Sequence, residues 1–264
     1  MVSMLKCKEW AQPFFRRISP MLFRELLRFL RVYYFFFRGN KKKELTALRL
    51  QTRVGVKHLY NAFSHPRRTV WTTMFVPSEI LFAMGLYPFC LEIGAALFAG
   101  LGQSSHGLLE AESYGVPTDI CTFHRSAIGH TFRNLFPQNI LQVATTTLCD
   151  NNTKTMKICE SVTGKETIVI DVPYEADDYS VKYLTRQLED FTRRLEEITG
   201  RKMNHAALER AIEYSNKTRE KMLEVNELRK DPYCPLPGSN ALGFMFPGFL
   251  LIGSPLSAEF FSAL

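Results

Sequence analysis

Cysteine is scarce in this sequence, with 6 residues in a chain of 264. So few thiols exclude a disulfide-built scaffold, because secreted domains of that kind are dense in cysteine. A secretory signal is also lacking, since residues 1–20 contain neither an uninterrupted apolar core nor a small-residue cleavage site. We therefore expect a cytoplasmic protein in a reducing environment. With 46% hydrophobic and 22% charged residues, the composition is that of an ordinary globular protein with a buried core.

Several motifs with a defined chemistry are missing. Neither GxGxxG nor GxxxxGK[ST] occurs, and Gly94, Gly100 and Gly102 complete neither pattern. The chain itself therefore gives no indication of an ATP or NAD site. A GxSxG nucleophile elbow, an HExxH zinc motif and paired CxxC motifs are absent as well. Isolated cysteines remain as the main candidates for chemistry.

The net charge of +7 hides a strong asymmetry along the chain. Residues 1–70 contain 16 Lys and Arg against 3 Glu and no Asp, a balance of +13. The rest contains 17 basic and 23 acidic residues, a balance of −6. The basic character thus belongs to an N-terminal extension, which argues against nucleic acid as the partner of the whole protein.

Residues 20–38 have helical spacing, with an apolar side and a row of arginines at Arg24, Arg28 and Arg31. The apolar run at 32–37 is far shorter than the roughly 20 residues that span a bilayer. A basic amphipathic helix of this kind can make peripheral contact with an anionic membrane. The alternative is a helix that packs on its own domain or on a partner subunit.

From Thr69 onward, short apolar runs alternate with helical stretches. The pattern predicts strands at residues 69–75, 87–93, 140–147 and 167–172, and helices at 77–85 and about 150–162. Strands that alternate with helices indicate right-handed βαβ crossovers and a parallel sheet. The predicted fold class is therefore α/β.

The second half of the sequence is mostly helical. Residues 181–199 are amphipathic and stop at Gly200, and Asn204 is the predicted cap of a second long helix that ends before residue 231. A proline-rich loop at 232–238 and an apolar tail without a clear closing element follow. We divide the chain into a basic helical extension (1–65), an α/β domain (66–178) and a helical region (179–264).

Two cysteines occupy positions that favour a thiolate. Cys149 follows a buried strand and precedes a helix whose predicted N-cap is Asp150, and Cys121 leads into another helix. The unpaired N–H groups and the dipole of a helix N-terminus stabilise negative charge. Ligands of open α/β sheets lie outside the carboxyl ends of the strands. The pair could therefore hold an iron–sulfur cluster or zinc, although a lone intracellular cysteine is usually a small buried hydrophobe.

Other candidate residues have ordinary alternatives. Cys90, inside a predicted strand, and Cys159, in the middle of a helix, fit a buried hydrophobe. His124 and Arg125 would serve a cluster as proton donor and anion contact, or else form a solvated helix start. Glu79 is either catalytic or a first-turn carboxylate that interacts with the helix dipole.

The sequence resembles the 2-hydroxyacyl-CoA dehydratase D-component family, which includes benzoyl-CoA reductase subunits. The matching landmarks occur in order between about residues 69 and 246. They are a proline–glutamate helix with Ala-x-Gly and a closing proline, two cysteine segments and two later segments. Their sequences are VPSEILFAMGLYP (76–88), CTFHRSAIG (121–129), TTLCD (146–150), LEEITGRK (195–202) and PLPGS (235–239).

The resemblance implies Rossmann-like α/β domains joined by helices, and a [4Fe-4S] cluster beside an acyl-CoA site. Cys121 and Cys149 match two of the cluster cysteines. A separate ATP-hydrolysing activator protein is expected to send one electron through the cluster into the thioester carbonyl. The resulting ketyl radical makes it feasible to eliminate water from a 2-hydroxyacyl-CoA. The missing nucleotide loop agrees with this scheme, because the ATP site belongs to the activator.

One departure from the family pattern affects the ligand set. The family supplies a third cluster cysteine from a second α/β domain, whereas this sequence has 115 residues after Cys149 and no such domain. Cys159 and Cys234 do not lie in the matching context. We expect a truncated chain, a cluster completed by a sister subunit or homodimer partner, or a non-catalytic interaction subunit, and we favour truncation. The choice between dehydration and a benzoyl-CoA reductase-like reduction stays open.

Overall fold

The computed structural model describes residues 19–36, 46–234, 236, 238–244 and 246–264. Cys7, the end of the helix predicted at 20–38, and the prolines at 235 and 237 of the predicted loop lie outside the described residues. Within them, the helices and strands follow one another in the order expected of a βαβ protein. Their bounds are α1 (Pro20–Phe36), α2 (Thr46–Ser64), β1 (Thr69–Thr72), α3 (Ser78–Ala83), β2 (Tyr87–Cys90), α4 (Leu91–Gly100), α5 (Ser104–Ser113), α6 (Thr122–Phe132), β3 (Leu141–Thr145), α7 (Asn151–Thr163), β4 (Thr167–Ile170), α8 (Asp178–Thr199), α9 (His205–Leu228), α10 (Gly238–Gly243) and α11 (Pro255–Ser262).

The four strands form one parallel sheet in the order β2-β1-β3-β4, which confirms the predicted α/β class. Val70 pairs with Pro88 of β2 on one side and with Leu141 of β3 on the other. The chain runs from β1 to β2 and then passes to the opposite side of β1 to form β3. The strand order therefore reverses between β1 and β3, where sheets of this kind bind their ligands.

Helices cover both faces of the sheet, because side chains alternate along each strand and both sets are apolar. Trp71, Phe89 and Ala144 face one layer, which is built from α1, α2, α4, α6 and α7. Val70 and Val143 face the other layer, built from α3 and α8. The result is a three-layer α/β/α arrangement with a core on each side of the sheet.

The two long helices end where the sequence predicts. Asp177 caps α8, since its carboxylate accepts a hydrogen bond from the Ser180 N–H at 2.7 Å, and Gly200 ends the helix with φ 66°. Asn204 caps α9 in the same way, through the Ala207 N–H at 3.1 Å.

Helix α1 packs on its own α/β unit. Phe23 and Leu27 are both buried in the core layer, and the Phe23 ring lies 5.0 Å from Phe63 and 5.7 Å from Phe98. This is the alternative that the sequence left open beside membrane contact. Among the described residues, no helix is both long enough and apolar enough to cross a bilayer.

Some predicted boundaries are wrong. The strand predicted at 87–93 ends at Cys90, because Leu91 already begins α4. Helices α4 and α5 were not predicted, and α2 lies in the region that was predicted only in general terms as a helical extension (1–65). The apolar tail does have closing elements: a π-helical turn at Phe246–Leu250 and α11, in which Phe260 and Phe261 are buried.

Candidate functional site

Two loops at the carboxyl edge of the sheet carry strained residues. Phe75 follows β1 and Leu148 follows β3, and both have φ 66°, a left-handed conformation that few residues other than glycine adopt. Such strain persists only where the surrounding structure enforces it, and it concentrates at functional sites. Both loops lie beside the point at which the strand order reverses.

The loop after β3 is held from both sides. The Thr146 hydroxyl donates to Asp171 at 2.9 Å and accepts from the Val172 N–H at 2.9 Å. The Asn152 side chain, at the start of α7, donates to the Thr147 carbonyl at 3.3 Å. These bonds fix the backbone on which Cys149 stands, so that its sulfur has a defined position. Cys149 is partly exposed.

Cys121 is exposed at the N-terminus of α6. Its carbonyl accepts the Arg125 N–H at 3.0 Å, which begins the helix, and its side chain makes no capping hydrogen bond. The Cys121 thiol therefore stands at the positive end of the α6 dipole, as predicted.

The histidine in the first turn of α6 links the two cysteine segments. The Cys149 sulfur lies 3.6 Å from Nε2 of His124, and Nδ1 of the same ring lies 3.0 Å from the Thr155 hydroxyl. His124 is 4% exposed, and this burial lowers the pKa of its imidazole. The packing of α6 against α7 thus brings Cys149 to the helix that Cys121 begins.

The prediction of a solvated helix start at His124 and Arg125 is wrong, since both side chains are buried. Arg125 lies 3.4 Å from the Glu112 carboxylate and donates to the Thr118 carbonyl at 2.5 Å. A buried guanidinium needs such partners because isolated buried charge is costly. Arg125 thus holds the loop that leads into α6.

Asp150 precedes α7 at the predicted position, but its side chain makes no capping hydrogen bond. The reason is its backbone, which has φ −61° and ψ −25° and is already helical, whereas capping side chains usually extend from β-region backbone. The prediction of Asp150 as a side-chain cap is therefore wrong.

A buried pair of acidic groups, which was not predicted from the sequence, lies at the end of β2. The Cys90 thiol donates to Glu92 at 3.3 Å, and the other Glu92 oxygen accepts the Met74 N–H at 3.2 Å. Burial raises the pKa of the Glu92 carboxyl and the pKa of the Cys90 thiol. The hydrogen bond from Met74 to Glu92 anchors the loop after β1. In the sequence, the single glutamate inside the apolar stretch 91–100 is the feature that could have indicated this buried pair.

The remaining candidates, Glu79, Cys159 and Cys234, lie in three other parts of the fold. Glu79 is in the first turn of α3, as predicted, and accepts a hydrogen bond from the Ser215 hydroxyl of α9 at 2.6 Å. Cys159 is buried, and this burial raises the pKa of its thiol to about 12. Cys234 is exposed in the turn after α9.

The described residues offer two candidate ligand thiols, Cys121 and Cys149, but no complete metal site. No group of three or more His, Cys, Asp or Glu side chains in the described ranges is placed to hold a metal ion. The chemistry of the Cys121 and Cys149 donors nevertheless fits iron, because thiolates are the usual ligands of iron–sulfur clusters. Cys121 and Cys149 therefore fit two positions of a larger set of ligands.

A cavity of about 360 Å³ lies between α9 and the last elements of the chain. One wall is Phe249, whose ring centroid lies 5.1 Å from that of Phe75, in the loop after β1. The lining of the cavity is mostly apolar and includes two arginines. It consists of Arg219, Met222, Leu223, Val225, Asn226, Arg229, Leu236, Ala241, Phe244, Phe249 and Phe261.

The fold and the thiol pair define a class: an α/β protein with candidate thiolate ligands beside the switch point of a parallel sheet. Comparison with known sequences identifies the family within this class. The chain belongs to the 2-hydroxyglutaryl-CoA dehydratase D-component family, whose sequence profile matches residues 73–264. The predicted resemblance is confirmed.

Three relatives illustrate the range of the family. The chain is 24% identical over 234 residues to the (R)-phenyllactyl-CoA dehydratase alpha subunit of Clostridium sporogenes, covering 85% of this chain and 58% of the relative. It is 32% identical over 101 residues to the alpha subunit of (R)-2-hydroxyglutaryl-CoA dehydratase of Acidaminococcus fermentans, covering 37% and 21%. It is 29% identical over 191 residues to a subunit of the benzoyl-CoA reductase of Thauera aromatica, covering 70% and 47%. The matches thus span between about a fifth and three fifths of the relatives' lengths.

Proposed function

We propose that this chain is an iron–sulfur subunit of a 2-hydroxyacyl-CoA dehydratase, a lyase that eliminates water from a 2-hydroxyacyl-CoA. One observation carries the proposal. The Cys149 sulfur lies 3.6 Å from a histidine on the helix that Cys121 begins, beside the switch point of the sheet. In a chain of this family, that placement supports Cys121 and Cys149 as ligands of a [4Fe-4S] cluster.

The residues of the chain would hold and shield such a cluster. The loop after β3, fixed by Thr146 and Asn152, presents Cys149, and the α6 N-terminus presents Cys121. Phe123 and Leu148, next to these segments, are exposed apolar side chains suited to cover the site and exclude water. When bound, the cluster supplies single electrons to the thioester of the substrate.

The proposal includes partners. No group of three or more His, Cys, Asp or Glu side chains in the described residues is placed to hold a metal ion, so the remaining ligands would come from a sister subunit, a second copy or a further segment. Each of the three relatives is named as a subunit, which supports a multi-subunit assembly. An ATP-dependent activator protein would deliver the electron, and acyl-CoA would be the substrate. An oxygen-sensitive site of this kind belongs to anaerobic metabolism in a reducing cytoplasm.

A reductive enzyme of the benzoyl-CoA reductase type is the second candidate function. The observation in its favour is the 29% identity to a benzoyl-CoA reductase subunit, which covers 70% of this chain. Comparing 2-hydroxyacyl-CoA and benzoyl-CoA as substrates of the activated complex distinguishes the two reactions. A third candidate is a non-catalytic interaction subunit, which predicts no bound iron even when all partners are present.

Removing either thiol tests the ligand assignment. Cys121→Ser and Cys149→Ser, prepared without oxygen together with the partner subunits, should lose most of the bound iron and the visible absorption of the cluster, because serine is a poor ligand for iron–sulfur clusters. Iron and sulfide quantification with electronic spectra measures the loss.

Cys234→Ser is the matched control, because Cys234 is also exposed but lies in the turn after α9. This variant should keep the iron content of the unmodified chain. Unchanged iron in Cys121→Ser and Cys149→Ser would show that the two thiols are not the ligands.

A further inference from the structure

We propose that His124, oriented by Thr155, donates a hydrogen bond from Nε2–H to the sulfur of Cys149 and is a positioning residue for this side chain. The inference rests on the proposed function for its role at a cluster, but the hydrogen bond itself is a property of the chain alone. It is carried by the two contacts of the His124 ring, 3.6 Å to the sulfur and 3.0 Å to the Thr155 hydroxyl.

The Thr155 hydroxyl is arranged differently from those of six other threonines in the described helices. A helical threonine ordinarily donates its hydroxyl proton to the carbonyl four residues earlier. Six threonines in the described helices do this: Thr131, Thr163, Thr185, Thr192, Thr199 and Thr218. The Thr155 hydroxyl instead faces Nδ1 of His124.

This difference selects one tautomer of the histidine. Thr155 is 1% exposed, and its hydroxyl has no hydrogen-bond partner other than His124 in the described part of the chain. If Nδ1 carried the proton, the buried hydroxyl proton would have no acceptor, an arrangement that proteins avoid. The Thr155 proton therefore goes to Nδ1, and the ring proton is on Nε2, which faces the sulfur.

A hydrogen bond donated to a metal-bound sulfur has two effects. It fixes the orientation of the ligand, and it withdraws negative charge from the sulfur, which raises the reduction potential of a cluster. Residues that orient a ligand in this way act through it and do not touch the substrate. His124 and Thr155 would thus set the geometry and the potential at Cys149.

The tautomer can be measured directly in the iron-free chain by ¹⁵N NMR of labelled histidine. Two other histidines provide references in the same spectrum. Nε2 of buried His58 donates to the Pro88 carbonyl, and Nδ1 of His65 donates to the Asn61 carbonyl, so the two report opposite tautomers. We expect His124 to resemble His58. A proton on Nδ1 of His124 would overturn the proposal.

Variants of Thr155 sharpen this measurement. Thr155→Val removes the hydroxyl and should give a mixture of tautomers, or the Nδ1–H form, at His124. Thr155→Ser keeps the hydroxyl and should retain the tautomer of the unmodified chain. An unchanged tautomer in Thr155→Val would contradict the role of Thr155, and circular dichroism checks that both variants are folded.

The second experiment addresses the cluster in the assembled protein. His124→Leu removes the donor and should shift the reduction potential to a more negative value, whereas His124→Gln keeps an N–H donor and should shift it less. Equal potentials in all three proteins would overturn the role at the cluster. If the unmodified assembly binds no iron, the proposed function fails, while the NMR result still decides the hydrogen bond.

Discussion

Burial divides the four described cysteines of the α/β domain into two groups. Cys90 and Cys159 are almost fully buried, and this burial raises the pKa of both thiols, so that they remain protonated at neutral pH. Cys121 and Cys149 have solvent access at helix starts, where a metal could approach them. The division follows from where each residue lies. Cys90 in β2 and Cys159 in the middle of α7 are in the core, whereas Cys121 and Cys149 lie in loops that precede helices.

The burial of His58 predicts that the stability of the folded chain depends on pH. His58 is 4% exposed, donates to the Pro88 carbonyl at 2.6 Å, and has its pKa lowered by burial from 6.5 to about 4. Between these two values the unfolded chain binds a proton that the folded chain does not. The free energy of unfolding must therefore fall as the pH drops from 6.5 to 4, by about 3 kcal/mol for this residue.

Substituting His58 by glutamine isolates this effect. His58→Gln keeps a donor for the Pro88 carbonyl but does not titrate, so its unfolding free energy should fall by about 2–3 kcal/mol less than that of the unmodified chain between pH 7 and pH 4. Urea denaturation at a series of pH values measures the difference. The exposed His65→Gln is the control and should follow the unmodified chain. Parallel curves for His58→Gln and the unmodified chain would contradict the prediction.

At the scale of secondary structure, the position of α6 depends on its crossing with α5. Gly129 of α6 lies so close to Gly107 of α5 that a Cβ atom on Gly129 would be 1.8 Å from the Gly107 carbonyl oxygen. Only glycine permits this approach. Because α6 carries Cys121 and His124, the crossing also determines where these two side chains lie.

Gly129→Ala should therefore damage both the fold and the site. Forcing the helices apart should cost at least about 1–3 kcal/mol, as overpacked cores do, and lower the melting temperature by several degrees. It should also reduce bound iron, because α6 would move relative to α7. Gly238→Ala is the control, since no atom lies within 4 Å of the added Cβ, and it should change neither quantity appreciably. A normal melting temperature for Gly129→Ala would be incompatible with this crossing.

The secondary structure also explains which predictions succeeded. The four strands were predicted because each is a short apolar run beside a turn or a polar segment. The boundary between β2 and α4 was not, because residues 87–100 are apolar in nearly every position and have neither a period of 2 nor one of 3.6. The positions of Cys121 and Cys149 at helix starts were likewise predictable from local signals. The contact between Cys149 and His124 was not, since it arises from the packing of α6 against α7.

At the scale of the whole molecule, charge and apolar surface are distributed unevenly. Residues 1–70 have a balance of +13, whereas the remainder has −6. The apolar side of α1 is occupied by its own core, where Phe23 and Leu27 are buried. Met21, Leu22 and Phe29 are the large apolar side chains that α1 exposes among the residues whose burial is described. Because the apolar side of α1 is occupied in this way and these three are the large apolar side chains exposed in the described part of the helix, we expect any attraction of α1 to a membrane to be mainly electrostatic.

The contacts of the α1 arginines also support a mainly electrostatic attraction to a membrane. Arg24 and Arg28 lie 2.9 and 3.6 Å from Glu25, and Arg31 stacks over the Tyr60 ring at 5.1 Å. These contacts are near the surface, where ion pairs are weak, so the arginines can still interact with anionic lipid. Each basic residue close to an anionic surface contributes about 1 kcal/mol, and the contribution falls off within a Debye length.

Sedimentation with vesicles tests the hypothesis of peripheral membrane contact. The chain should bind vesicles containing phosphatidylserine at low salt, and the bound fraction should fall steeply as the Debye length shrinks to about 3 Å near 1 M salt. Phe29→Ser should bind nearly as well as the unmodified chain, whereas Arg28→Glu should bind less, because charge and not insertion drives the contact. Binding that persists in high salt and is lost in Phe29→Ser would mean insertion of apolar side chains instead. Failure to bind even at low salt would exclude the contact and leave α1 as a helix of the α/β unit alone.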